Sequence, residues 1–160
     1  MVSFNQRKSM KYQLAIVFFT SFVVISPHAY ATCDQKSKTM FFCIAKKTGK
    51  NIELCDLGKT IQYSFGTSGS KPDLALSVPR ERVSTSQWDG MGRNEPYSVN
   101  VPNGSTIYSV FWELDKLKRV NAIEAGVNVT AGGKALATIL CADNTIVNNL
   151  IGIDLKKEQW

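Results

Sequence analysis

Along most of this chain apolar and polar side chains alternate with a period of two. That spacing turns one face of an extended strand to a core and the other to solvent. The clearest runs are Ile61-Tyr63-Phe65, Leu74-Leu76-Val78, Tyr97-Val99-Val101 and Tyr108-Val110-Trp112, and Val127-Val129 and Leu136-Thr138-Leu140 continue the pattern. The breaks carry turn chemistry: Lys-Thr-Gly-Lys at 47–50, Asp56-Leu-Gly58, Gly66-Thr-Ser-Gly69, Pro102-Asn103-Gly104 and Gly132-Gly133. Asn-Gly and Gly-Gly between alternating runs are strong hairpin signals. About eight strands joined by tight turns predict an all-β antiparallel meander, closed as a small barrel or folded as a sandwich.

Two stretches fall outside the meander. Residues 79–96 (PRERVSTSQWDGMGRNEP) read as one long link between two strands. Long loops without structure of their own are uncommon in compact domains and often carry function. Residues 143–160 form a tail expected to pack on the same domain. Its Ile146, Leu150 and Ile153, with Val147 and Ile151 beside them, fit one face of a short C-terminal helix. The same letters also pair as a hairpin around Asn148-Asn149; the helix is the expectation taken forward.

The N-terminus has a different grammar. Arg7, Lys8 and Lys11 precede an apolar run over 14–25, followed by Pro27 and by small residues at Ala29 and Ala31. That is a secretory signal peptide, with cleavage expected after Ala31 and a single β-rich domain over 32–160. An uncleaved anchor fits less well, because the run falls short of the ~20 residues a helix needs to cross a bilayer. A start at Met10 would leave a complete signal. Lipidation at Cys33 does not fit the preceding Tyr30-Ala31-Thr32. The expected product is a soluble periplasmic or secreted protein of a bacterial envelope, not an integral membrane protein.

Charge and histidine content narrow the chemistry. The chain has 19 Lys and Arg against 13 Asp and Glu, a net +6. Half of that excess leaves with the signal, since three of the basic residues and none of the acids lie in it. What remains is spread along the chain, apart from Lys116-Leu-Lys118-Arg119, which reads as a solvated turn, so no nucleic-acid partner is expected. The single histidine, His28, also lies in the signal. The domain then has no imidazole for a nucleophile pair, a metal site or a proton shuttle, and a non-enzyme without cofactor or metal is expected. Glu113 and Asp115, two apart at a strand end, raise glycosidase chemistry but read as solvated. No calcium-loop spacing occurs.

All four cysteines, Cys33, Cys43, Cys55 and Cys141, lie in the exported part. In an oxidising compartment an even set implies two disulfides rather than a zinc site. Three pairings are open. Cys43 with Cys55, flanking the 47–50 turn, leaves Cys33 with Cys141 and is slightly preferred. The rival joins Cys43 to Cys141 and staples the first strand to the last.

The 79–96 segment holds the candidate binding residues: Arg80, Arg82, Ser84, Ser86, Trp88, Asp89 and Arg93, with Tyr97 just beyond. Trp, Arg and Met are the residue types that dominate interface hot spots. Trp88 could equally plug one end of the fold. Tyr97, Tyr108, Phe111 and Trp112 read as core or barrel wall, and a cavity lined by Tyr63, Tyr108 and Trp112 would mark a ligand-storage barrel.

In outline the chain resembles the periplasmic inhibitors of C-type lysozyme. The resemblance rests on a signal peptide, a strand ending in Cys (Met40-Phe-Phe-Cys43), the meander, and a last strand ending in Cys (Thr138-Ile-Leu-Cys141). That family presents a Ser-rich loop closed by Gly, a small residue, a basic residue and Tyr. Here Ser84-Thr85-Ser86-Gln87-Trp88 stands in that place, Gly92-Arg93 and Tyr97 follow, and Tyr108-Ser-Val-Phe-Trp112 is similar to the next strand. Gln87 and Trp88 replace the expected small residues, and two cysteines are extra. The resemblance implies a binding protein that inhibits a cell-wall hydrolase, as a lysozyme inhibitor or an immunity protein against a rival's muramidase. It would use Ser86 and Arg93 against catalytic carboxylates and Trp88 in a sugar subsite. The alternative is a small-ligand or structural envelope barrel without an enzyme target.

Overall fold

The computed structural model describes Cys33, residues 37–118 and residues 122–158. The signal expected over 1–31, and the start at Met10, lie outside the described residues. Among these described residues eleven strands run in chain order: β1 (Lys38–Ile44), β2 (Asn51–Asp56), β3 (Thr60–Gly66), β4 (Leu74–Pro79), β5 (Ser84–Ser86), β6 (Asn94–Asn103), β7 (Thr106–Asp115), β8 (Ile123–Ala131), β9 (Lys134–Leu140), β10 (Val147–Asn148) and β11 (Lys156–Lys157). They form two sheets, ordered β10-β1-β2-β3-β4 and β11-β5-β6-β7-β8-β9. Every pairing is antiparallel except β11 on β5. The molecule is therefore all-β, as its alternation predicts, and of the two closures left open it adopts two sheets rather than a closed barrel.

Alternation sets what each sheet buries. Phe41, Ile52, Leu54, Ile61 and Tyr63 of the first sheet are fully buried, as are Val99, Val101, Val110 and Val127 of the second. They form one core. Each such side chain removed from water contributes about 1.5–3 kcal/mol. Tyr63 stacks on Tyr108 with ring centroids 5.3 Å apart, and Trp112 lies 5.9 Å from Tyr97. The aromatics that could have lined a storage cavity are thus packed into the fold. Phe111 is the exception to the expected wall, because its register with Ser98 and Gly126 turns it to the outer face.

The preferred disulfide pairing is overturned. Cys33 joins Cys55 and Cys43 joins Cys141, with Cα–Cα separations of 5.6 and 5.7 Å. Register explains it. Cys43 pairs with Ile52 and Cys55 with Thr39 on the β1–β2 ladder. The two cysteines are thus offset by three residues, roughly 10 Å at ~3.3 Å per residue, beyond what a disulfide spans. Cys141 instead reaches the end of β1, where Ala45 bridges it, Lys46 N donates to Leu140 O at 2.8 Å and Ala142 N donates to Ile44 O at 2.8 Å. One corner of the two sheets is closed there.

The tail is not a helix. It begins as a 3₁₀ turn at Asp143–Thr145, adds β10 to the edge of β1, and ends as β11 beside β5. Its apolar residues are used singly. Leu150 is fully buried, and Ile146, Ile153 and Leu155 pack against the core. A helix would hold Leu150 on one shared stripe. The extended path lets the tail run from the edge of one sheet to the edge of the other.

Candidate functional site

The 79–96 link is mostly structured. A 3₁₀ turn at Arg80–Arg82 leads into β5, and Asn94 already begins β6. The reason lies in Val83 and Thr85, both within the core at 0% and 1% exposure. Thr85 Oγ1 donates to Ser98 O at 2.7 Å, which lets a hydroxyl occupy an apolar position and hides the strand from hydropathy reading. Only residues 87–93 remain as a loop, between β5 and β6.

That loop is tied at several points. Gln87 Nε2 donates to Thr85 Oγ1 at 2.8 Å and to Leu150 O at 2.9 Å, while its Oε1 accepts from Gly152 N at 2.8 Å. The tail is thereby clamped to the loop's first residue. Trp88 is half-buried and packs against the core, its Nε1–H donating to Met91 O at 2.6 Å. Lys116 Nζ sits 4.1 Å from the Trp88 ring centre. Asp89 Oδ1 accepts from Met91 N at 3.0 Å. Gly90 and Gly92 hold φ of 95° and 88°, a region other residues rarely adopt, and they fold the chain back on either side of Met91. At the exit, Arg93 makes a two-point pair with Asp115: Nε to Oδ1 at 2.8 Å and Nη2 to Oδ2 at 2.6 Å.

The electrostatics follow from this pair. The Asp115 carboxyl is held down to about 2, first by the Arg93 hydrogen bond, which outweighs the opposing effect of burial, and then by Leu117 N–H and the Arg93 and Lys118 charges. The same bond raises Arg93. Asp115 is therefore committed to Arg93, while Glu113, on the outer face, accepts from Asn94 Nδ2 at 2.6 Å. Tyr97 is buried and donates to Glu95 Oε1 at 2.7 Å, which raises its phenol.

Of the predicted binding residues the fold gathers Ser86, Trp88, Asp89 and Arg93, which line an open hollow of about 630 Å³ with Met91. The others lie elsewhere. Arg80 Nη1 holds both Asp56 oxygens at 2.7 and 2.8 Å and its Nη2 donates to Asp154 O at 2.7 Å, a structural tie between a turn and the tail. Arg82 and Ser84 face a separate hollow beside Lys156 and Lys157. Tyr97 belongs to the core. Comparison with known proteins returns no matching family model, no matching curated protein and no matching solved structure.

Three contributors escaped the candidate set. Met91 is 73% exposed at the loop tip. Lys116 covers Trp88, and Gln87 fastens the base. Met91 was legible as a large apolar side chain between two glycines. Lys116 and Gln87 act through contacts distant in sequence, which no local spacing announces.

Proposed function

We propose that this chain is an exported binding protein whose 87–93 loop engages a protein partner, a lysozyme- or muramidase-like cell-wall hydrolase. The observation that carries the reading is the loop itself. It projects Met91, Asp89 and the Arg93 edge while Trp88, Gln87 and Asp115 hold it from below. A loop fixed before contact loses little ordering entropy on binding. Two disulfides brace the sheets behind it and suit an oxidising compartment.

On this reading the contacting atoms differ from those the resemblance implies. Trp88 serves as the loop's anchor, since its indole N–H is already spent on Met91 O. Arg93 has already paired with Asp115, yet its side chain is 56% exposed, so its outer edge can still meet a carboxylate of the partner. Met91 and Ser86 flank it. The packed Tyr63, Tyr108 and Trp112 weigh against the ligand-storage alternative.

The test is lysis of peptidoglycan by a panel of lysozymes and muramidases with residues 32–160 added. Saturable inhibition near equimolar ratio is expected for at least one enzyme, and Met91→Ala should weaken it by about 2 kcal/mol if the tip is a hot spot. Undiminished lysis across the panel would contradict the proposal.

A further inference from the structure

The outer face of the second sheet carries a feature that the loop does not use. Ser84, Asn100, Ser109, Asn128 and Thr138 stand in register on five adjacent strands, β5 to β9. They are linked crosswise. Ser109 Oγ donates to Asn100 Oδ1 at 2.6 Å, Asn100 Nδ2 reaches Ser84 Oγ at 3.5 Å, and Thr138 Oγ1 donates to Asn128 Oδ1 at 2.7 Å. These bonds fix the amide planes. Among the described residues the Asn128 Nδ2–H₂ group has no partner. The neighbouring row is Ser98, Phe111 and Gly126, so the half-exposed Phe111 ring has no side chain on β8 beside it. In the next row Glu113 and Glu124 stand directly opposite each other.

Like charges directly opposite on a sheet cost stability when nothing lies between them. These rows share one open hollow of about 460 Å³, within the usual range for ligand sites. Its lining includes Glu113, Glu124 and Glu158 and, among the described residues, no Lys or Arg. An anionic ligand, nucleic acid or phosphate, is disfavoured by that charge.

We propose that this hollow is a binding site for an oligosaccharide of neutral or amino-bearing pyranoses. Amides and hydroxyls that both donate and accept match sugar hydroxyls, which do the same. The two opposed carboxylates accept from hydroxyl or ammonium groups in charge-assisted bonds, which relieves their repulsion. The Phe111 face offers an apolar platform to the C–H face of a ring. The hollow shares only Ser86 and Pro96 with the loop's hollow, so this site stands apart from the hydrolase reading.

The experiment is an NMR titration of residues 32–160 with three tetrasaccharides, of N-acetylglucosamine, of glucosamine and of galacturonic acid. Saturable shifts are expected at the Asn128 side-chain amide and the Phe111 ring with the first two, and none with the acidic third. Phe111→Ala should weaken binding by about tenfold. Glu124→Gln should weaken the glucosamine oligomer more than the acetylated one. The proposal is overturned by shifts confined to the 87–93 loop, by equal binding of the galacturonic acid oligomer, or by no shift at millimolar ligand. Titration of the unsubstituted protein keeps these outcomes readable even where a variant folds poorly, and no hydrolase enters the measurement.

Discussion

Arg93 and Asp115 show how a single pair turns a flexible link into a defined surface. The carboxylate takes two guanidinium N–H groups and the Leu117 N–H. Its charged form is therefore favoured in the folded protein, and its ionisation lies at about 2 against the ordinary 3.8. A depressed carboxylate contributes stability that is present above the ordinary value and is lost as pH falls through the folded one. The loop's exit should thus stay tied at pH 4 and release towards pH 2. An NMR titration of the Asp115 carboxyl should show its midpoint near 2, moving towards the ordinary value in Arg93→Ala. A midpoint already near the ordinary value in the unsubstituted protein would mean the pair does not persist in solution. Nothing in the sequence joins residue 93 to 115 beyond opposite charge; only the β6–β7 register, which sets Asn94 against Asp115, brings them together.

At the scale of elements, the strands were legible wherever side chains facing the core were apolar. The alternating runs of β3, β4, β6, β7 and β8 sit where the pattern put them. β5 escapes the pattern because its buried position is a threonine that satisfies its hydroxyl on Ser98 O. β9 runs with the phase of its alternation reversed. Leu136 and Leu140 are exposed, and Ile139 pairs with the buried Val127, because a bulge after Val129 shifts the register. The tail's sequence predicts a helix because Leu150 and its neighbours satisfy a 3.6-residue period as well as an extended path. What decides between them is tertiary: β1 offers an unpaired edge, and Gln87 offers partners to Leu150 O and Gly152 N. Leu150→Ala should therefore act like a core truncation, costing about 2–5 kcal/mol in urea denaturation. A cost below about 1 kcal/mol, the range of surface changes, would show that the tail does not close the core.

For the whole molecule, the two disulfides do different work. Cys43–Cys141 spans 98 residues and joins the sheets at their corner, whereas Cys33–Cys55 spans 22 and ties Cys33, ahead of β1, to β2. Loop-closure entropy gives the longer bridge the larger effect, roughly 4–5 against 3 kcal/mol. Removing each as a Ser pair and melting the variants should show the Cys43/Cys141 pair as the more damaging. The reverse order would mean that native contacts at Cys33 outweigh chain entropy. The sequence supplied the number of bridges but not their partners, because pairing depends on a register offset of three residues that no spacing reveals.

The rigid frame matters because the account of this protein rests on the 87–93 loop holding one shape before any partner arrives. Backbone amide order parameters of free residues 32–160 test that directly. Values near 0.85 from Gln87 to Arg93, level with those of β6, are expected for a loop clamped by Leu150, Met91 and Asp115. Values below about 0.6 across the same residues would contradict it, leaving a loop that must be ordered by its partner and a binding surface that is not built in.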